Sequence, residues 1–518
     1  MQLKNEYKRL SGVLLSVTML HGPFGIGVLG DEAYEFIDFM KNCGFRVWQV
    51  LPVEHTGFGF SPYNCVSAFA GEPTLIDPRE LLNLGLISDA ELAERCEGLQ
   101  EGRIDYETVH KKQWKLLRTA YSRLNGWLIE GSHEQQCNQP CEASHKKLHE
   151  GFDPLWLDDY SLYMALSHHY GETPWYDWPD ESLREYDAAA LNKAREEFKE
   201  EIDFYKFVQW LFHKQWFKLK EYASERGISI IGDIPFYVAE ESADIWSRRN
   251  LVNKKSVGGA PPDYFTPDGQ CWGYPVYNWK AMKEDGYEWW TSRMREAISR
   301  YDIVRLDHFR GFESYWSIPA TTPDAKLGKW VKGPGYSLFK AMEAVLGELP
   351  VIAEDLGDID DEVELLLKRT GFRGMKVVQF GFMGDDWHIP HNFDERCVAY
   401  TSTHDSTTLL AWLFGLMDED RERALLYLGF EGDWTVGGPN CAINRAWIRN
   451  LLMSRASLVV IPIQDLLGYG ADTRTNIPGT AEGNWEFRIR PGVLDEIDTE
   501  FYHALNEVYG RHGEETET

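Results

Sequence analysis

Tyr301-Asp302-Ile303-Val304-Arg305-Leu306-Asp307-His308-Phe309-Arg310 decides how the rest of the chain is read. It opens as a short apolar run of strand type and closes in a cluster of charge. Side chains alternate along a strand, so Arg305 and Asp307 point to one side. A guanidinium beside a carboxylate at a strand's end is expected to depress the carboxylate pKa and keep it ionised. An ionised, oriented carboxylate is what a covalent nucleophile on a sugar carbon has to be. A structural Arg–Asp pair would look the same in isolation, so the weight falls on how often the pattern recurs.

It recurs along the whole chain. Similar apolar runs span residues 11–18, 45–53, 227–236, 350–353, 374–380, 397–401 and 458–463, separated by helical patterns. Buried parallel strands read as continuous apolar runs, and strand–helix alternation repeated about eight times predicts a single (β/α)8 TIM barrel over 1–518. The active site of such a barrel lies at the C-terminal ends of its strands. Those ends carry Glu54, Asp233, Arg305, Asp307, His308, Glu354, Asp355, His404, Asp405 and Asp465, which reads as a ring of acids. Two insertions are expected. Residues 78–200, after the second strand, read as mostly helical, and 250–280, after the third, as a Gly-, Pro- and aromatic-rich lid. A further Gly- and aromatic-rich loop, containing Ser61-Pro62-Tyr63, follows the second strand.

Composition narrows the partners. The chain has 518 residues, 53 Lys+Arg against 82 Asp+Glu, and a net charge of −29. Such an acidic surface repels phosphate backbones and anionic lipids, so neither nucleic acid nor membrane is expected as a partner. Twenty Trp within 14% aromatics serve the core and also suit the apolar faces of sugars. The 8 scattered Cys point to free thiols in a reducing compartment. Cys137, Cys141, His145 and His149 recur every four residues, which matches no usual zinc spacing. Residues 12–20 could pass for a signal-peptide core, but they run into His21-Gly22-Pro23 without a cleavage site and read as a strand. A cytoplasmic location is the default expectation.

One motif argues for different chemistry. Gly25-Ile26-Gly27-Val28-Leu29-Gly30 matches G-x-G-x-x-G, a helix capped by Asp31 follows over 31–42, and Glu54 ends the next strand. This is formally a dinucleotide fingerprint and would predict nicotinamide binding. A single glycine loop leaves the acid ring unexplained.

The ring itself allows two jobs. Asp and Glu oxygens could hold a divalent metal, although the ligand spacing is not dense and Arg305 would compete with a cation beside Asp307. Alternatively one carboxylate attacks a glycosidic carbon while a protonated one delivers a proton to the leaving oxygen. On chemistry alone Glu354 and its neighbour Asp355 are equal candidates for the acid.

Residues 304–311 (Val-Arg-Leu-Asp-His-Phe-Arg-Gly), 352–357 (Ile-Ala-Glu-Asp-Leu-Gly) and Thr403-His404-Asp405 resemble the three catalytic signatures of the 4-α-glucanotransferases, or amylomaltases, within the α-amylase superfamily. The likeness extends to Ser61-Pro62-Tyr63, Gly232-Asp233-Ile234-Pro235, and Pro261-Pro262-Asp263-Tyr264-Phe265 with Gly269-Gln270-Cys271-Trp272-Gly273. It continues in Gln464-Asp465-Leu466-Leu467-Gly468, Asn476-Ile477-Pro478-Gly479-Thr480 and Gly483-Asn484-Trp485. The resemblance implies a retaining transfer of α-1,4-glucan segments between maltooligosaccharides, starch-type glucans and glucose, with no cofactor and no metal. It implies Asp307 as nucleophile, Glu354 as general acid and base, and Asp405 as the group that holds the distorted donor sugar. Arg305 would keep Asp307 ionised, His308 and His404 would hydrogen-bond the same sugar, and Tyr63 would stack on it. Ser61, Asp233, Gln270, Asp465 and Asn476 join the expected substrate-binding set, while Tyr264 and Trp272 would form a lid that limits water. The family commonly has Thr-Gly-Thr-His-Asp-Asn-Asp where Ser402, Ser406 and Thr407 occupy the varying places here, which bears on product preference and not on reaction type. A hydrolase using the same three acids is the alternative.

Overall fold

Eight parallel strands of three to six residues close into a barrel in the computed structural model, which describes residues 9–57, 59–130, 152–262, 266–480 and 482–513. In chain order the strands are β1 (Leu10–Leu14), β2 (Val47–Gln49), β3 (Ser229–Ile234), β4 (Val252–Ala260), β5 (Gln270–Tyr277) and β6 (Ile303–Leu306). They continue with β7 (Ser314–Pro319), β8 (Lys329–Lys332), β9 (Val351–Ala353), β10 (Arg373–Val377), β11 (Cys397–Tyr400) and β12 (Leu458–Pro462). The barrel runs β1-β12-β11-β10-β9-β6-β3-β2. The expected barrel is therefore what forms, with strands shorter than the apolar runs suggested. The run 374–380 stops being a strand at Val377 and turns into a helical segment over Val378–Gly381.

Period-2 alternation divides each strand between two cores. Ile231, Ile303, Ile352, Met375, Val398 and Val460 point inward and fill the barrel. Their sequence neighbours Ile230, Val304, Val351, Ala399 and Val459 face outward into the larger core under the helices. The helix over Asp31–Asn42 begins as expected, but Gly30 is its cap residue and Asp31 its first helical residue.

The stretch expected to be a loop-rich lid contains a strand hairpin. β4 and β5 pair antiparallel and continue into β7 and β8, giving a separate four-stranded sheet ordered β5-β4-β7-β8. The second half of that sheet comes from the segment after β6, so the lid is tied directly behind Asp307. Between β2 and β3 the described residues are mainly helical, ending in the long helix Lys199–Glu225. The Cys137/Cys141/His145/His149 row, Phe58 and the lid residues Asp263, Tyr264 and Phe265 lie outside the described residues.

Candidate active site

The inward parity of β3, β6 and β9 switches from apolar to charged at their C-terminal ends. Ile231 is followed two residues later by Asp233, Ile303 by Arg305 and then Asp307, and Ile352 by Glu354. Asp233 and Arg305 are direct cross-strand partners, as are Leu306 and Ala353. The ladder continues past the strands: Asp307 N donates to Ile234 O at 3.1 Å and Glu354 N to Leu306 O at 3.0 Å. Rigid parallel pairing thus sets Asp307 and Glu354 on adjacent strand ends at the barrel mouth.

Arg305 is buried and gives its Nη1 mainly to Asp233, at 2.7 Å to both oxygens, with a longer 3.2 Å contact to Asp307 Oδ1. This corrects the expectation that Arg305 would depress the Asp307 pKa. Burial, with added repulsion from Asp233 and Asp405, outweighs the attraction of Arg305 and His404 and pushes Asp307 up to about 6. At neutral pH Asp307 is still an anion, with 24% of its side chain open to the cleft.

Glu354 behaves differently. Burial pushes its carboxyl up to about 8 against the pull of Arg305, and the Asp307 charge adds to the rise. It is aimed by two backbone donors: His308 N to Oε2 at 2.8 Å and Leu356 N to Oε1 at 3.1 Å. The first depends on a left-handed backbone at His308 (φ 48°), an unusual conformation for a residue with a side chain. Two carboxyls in such different surroundings at one mouth have the chemistry an acid–base pair needs.

Asp405 completes the set from the loop after β11. Burial would raise its pKa, but His404 and Asn476 hold it far below the usual carboxylate range. Asn476 Nδ2 donates to Oδ1 at 2.6 Å and His404 Nε2 lies 3.2 Å from Oδ2. Asn476 therefore orients Asp405, a role beyond the substrate contact expected of it. Arg474 went unnoticed in the sequence: it donates to the backbone oxygens of Asp405 and Asn476, each at 2.7 Å. Only its closeness to the Asn476-Ile477-Pro478 motif marked it.

Tyr63 joins the two sides. Its hydroxyl donates to Asp233 Oδ2 at 2.7 Å and lies 2.8 Å from His404 Nε2, with its ring stacked on His404 at 5.5 Å. Trp272 of β5 meets the His308 ring edge-on at 4.9 Å, and its indole N–H is held by Gln270 Oε1 at 3.0 Å. Burial pushes His308 down to about 4, so its ring is neutral, and His308 Nε2 and His404 Nδ1 are buried without a partner among the described residues.

Other expected residues sit elsewhere. Ser61 Oγ accepts from Tyr63 N at 3.3 Å and shapes that loop. Asp465 is fully buried and saturated by Thr401 Oγ1, Ser402 Oγ and Leu409 N, so it anchors the Asp405 loop from behind. Asp355 accepts from Met375 N at 2.6 Å, and Glu54 pairs with buried Arg300 at 3.1 Å. Among the described residues no cluster of three or more His, Cys, Asp and Glu is placed to hold a metal ion.

The glycine loop packs instead of opening. Phe24, Ile26 and Val28 form a buried cluster with Ile104 and Val109. A Cβ on Gly30 would lie 1.9 Å from Asp77 Oδ2, and Asp31 and Glu32 in the first turn already pair with Arg79. Carboxylates therefore occupy the helix N-terminus that a pyrophosphate would need.

The 4-alpha-glucanotransferase family model matches residues 15–495. The chain belongs to that family. It is 41% identical over 513 residues to the 4-alpha-glucanotransferase of Aquifex aeolicus (strain VF5), covering 97% of this chain and 99% of that one. Identity to the Thermus thermophilus 4-alpha-glucanotransferase is also 41%, covering 94% and 96%. The solved amylomaltase of Streptococcus agalactiae in complex with acarbose superposes with a TM-score of 0.86 at 35% identity, covering 97% of this chain and all of the other. Family membership makes the chain a glycosyltransferase with 4-alpha-glucanotransferase activity, and the hydrolase alternative is not favoured. Among the described residues no helix is long and apolar enough to cross a membrane.

Proposed function

We propose that this chain performs the transfer by double displacement, with Asp307 attacking the anomeric carbon of an α-1,4-linked glucan while Glu354 protonates the departing glycosidic oxygen. The C–O bond to the leaving glucan breaks as the bond to Asp307 forms, giving a β-glucosyl ester. Glu354, now a carboxylate, takes the proton of an acceptor 4-hydroxyl. That oxygen displaces Asp307 and restores the α linkage.

The observation that carries this reading is the placing of Asp307 and Glu354 on neighbouring strand ends, the first beside Arg305 and open to the cleft, the second aimed by the His308 and Leu356 amides, with burial raising both carboxyls and Glu354 the further. At pH 7 one is the nucleophile and the other still holds the proton it must deliver. Asp405, held ionised by His404 and Asn476, suits the hydroxyls of a donor sugar carrying positive character at its ring. The unpartnered ring nitrogens of His308 and His404 would gain partners from the same sugar. Trp272 would cover the acceptor and favour a sugar hydroxyl over water. Maltooligosaccharides and glucose are the proposed acceptors.

Incubation with maltotriose alone tests the reading. Glucose plus a ladder of longer maltooligosaccharides is expected, and glucose and maltose with no longer product would contradict it.

A further inference from the structure

The loop between β10 and β11 contains the most exposed aromatic side chain among the described residues: Trp387, 73% open to solvent. Its backbone is well tied. Trp387 N donates to Asp385 Oδ1 at 3.1 Å, Asn392 Nδ2 to Asp386 O at 2.8 Å, and Arg423 pairs with Asp386 at 3.1 Å. His388, the next residue, is buried, and its Nδ1 accepts from Val377 N at 2.8 Å at the end of β10. A large ring held in water by an ordered backbone is free to stack on the apolar face of a ligand.

The position of this loop indicates which ligand. β10 lies between β9, which ends at Glu354, and β11, which leads to Asp405. The loop leaves the C-terminal end of β10, the same end as the catalytic groups. Phe380 packs against the barrel-interior cluster, as does Leu356, two residues beyond Glu354, and the Phe380 ring lies 5.3 Å from His388. Gln379 also donates to Thr407 O at 2.8 Å, joining this loop to that of Asp405. A continuous series of contacts thus runs from the barrel mouth through Phe380 and His388 to Trp387. The ring stands beside Asp385 and Asp386, carboxylates that repel anions and accept hydrogen bonds from hydroxyls. An apolar plane flanked by acceptors fits a neutral polyhydroxylated chain.

We propose that Trp387 is a stacking platform for the distal glucose units of a long α-glucan, engaged only when the substrate outreaches the catalytic cleft. This rests on the transferase reading above. One planar contact of this kind changes affinity by about three- to tenfold.

The test compares the full-length wild type with Trp387→Ala and Trp387→Phe on two donors, maltotriose and amylose, with glucose as acceptor, alongside migration in amylose-containing native gels. Trp387→Ala is expected to raise KM for amylose about three- to tenfold and to speed migration in the amylose gel, with kcat and all maltotriose constants within about twofold. Trp387→Phe keeps a ring and should restore most of the amylose KM. An unchanged amylose KM in Trp387→Ala would overturn the proposal, as would an equal loss on both donors. A wild type that turns over neither glucan would contradict the transferase reading instead, and gel retardation would then decide the platform independently.

Discussion

Two groups of carboxylates stand at barrel strand ends and do opposite work. Asp307, Glu354 and Asp405 face the cleft, each held in position but not fully satisfied by protein donors. Glu54, Asp355 and Asp465 are turned away and bound to Arg300, Met375 N, and the Thr401–Ser402–Leu409 trio, although Glu54 Oε2 has no partner among the described residues. Place along the chain does not separate the two groups; what surrounds each carboxyl does. Asp233, Arg305, Asp307 and Glu354 share the parity of Ile231, Ile303 and Ile352, which fill the barrel interior. Asp355 falls in the parity of Ala353, which faces the outer core, whereas Glu54 lies beyond the end of β2 and Asp465 in the helical turn after β12. Asp233, although inward, is taken up by Arg305 and Tyr63, so parity brings a carboxyl to the mouth and its partners decide what it is free to do.

The comparison can be broken most severely at Asp307. Asp307→Asn should lower transfer at least ~10^4-fold without lowering Tm, because it removes a group that burial already disfavours; a clear drop in Tm would make Asp307 a strut as well. Glu354→Gln should cost about 10^2–10^4-fold in kcat/KM and remove the alkaline limb of the pH profile. Asn476→Ala should lower kcat about tenfold by freeing Asp405, with KM little changed. Glu54→Ala should do the reverse, costing about 3 kcal/mol of stability in urea unfolding while the folded fraction stays active, because it leaves buried Arg300 Nη1 without its carboxylate and only Glu296 and Phe69 O on Nη2. The finest test is the pH profile of kcat/KM in the wild type. Asp307 must be ionised and Glu354 protonated, so activity should rise through about pH 6 and fall through about pH 8. A single-limbed profile would deny the division of roles.

Much of this was legible before the structure. Short apolar runs ending in acids announced the barrel, and the Arg305–Asp307 alternation announced the mouth. The same parity rule, carried to β9, separates Glu354 from Asp355. What sequence could not reveal was competition. Burial raises the Asp307 pKa, and Asp233, which shares Arg305 through strand pairing, adds repulsion, so the attraction of Arg305 does not depress it. Nor could the period of residues 250–280 announce a hairpin, because its partner strands β7 and β8 come from beyond the next barrel strand. The glycine loop is rightly set aside: its fingerprint is local, whereas Ile104, Val109 and the Asp77–Arg79 pair that pack against it arrive from elsewhere in the chain.

The central claim is that a covalent bond forms at Asp307, and trapping it is the most direct measurement. Glu354→Gln treated with α-maltotriosyl fluoride, a donor that leaves without protonation, should accumulate the glycosyl-enzyme. Peptide mass spectrometry should then find the maltotriosyl mass as an ester on the peptide carrying Asp307. The sugar on any other carboxylate, or turnover of the fluoride with no enzyme-bound sugar, would contradict the account.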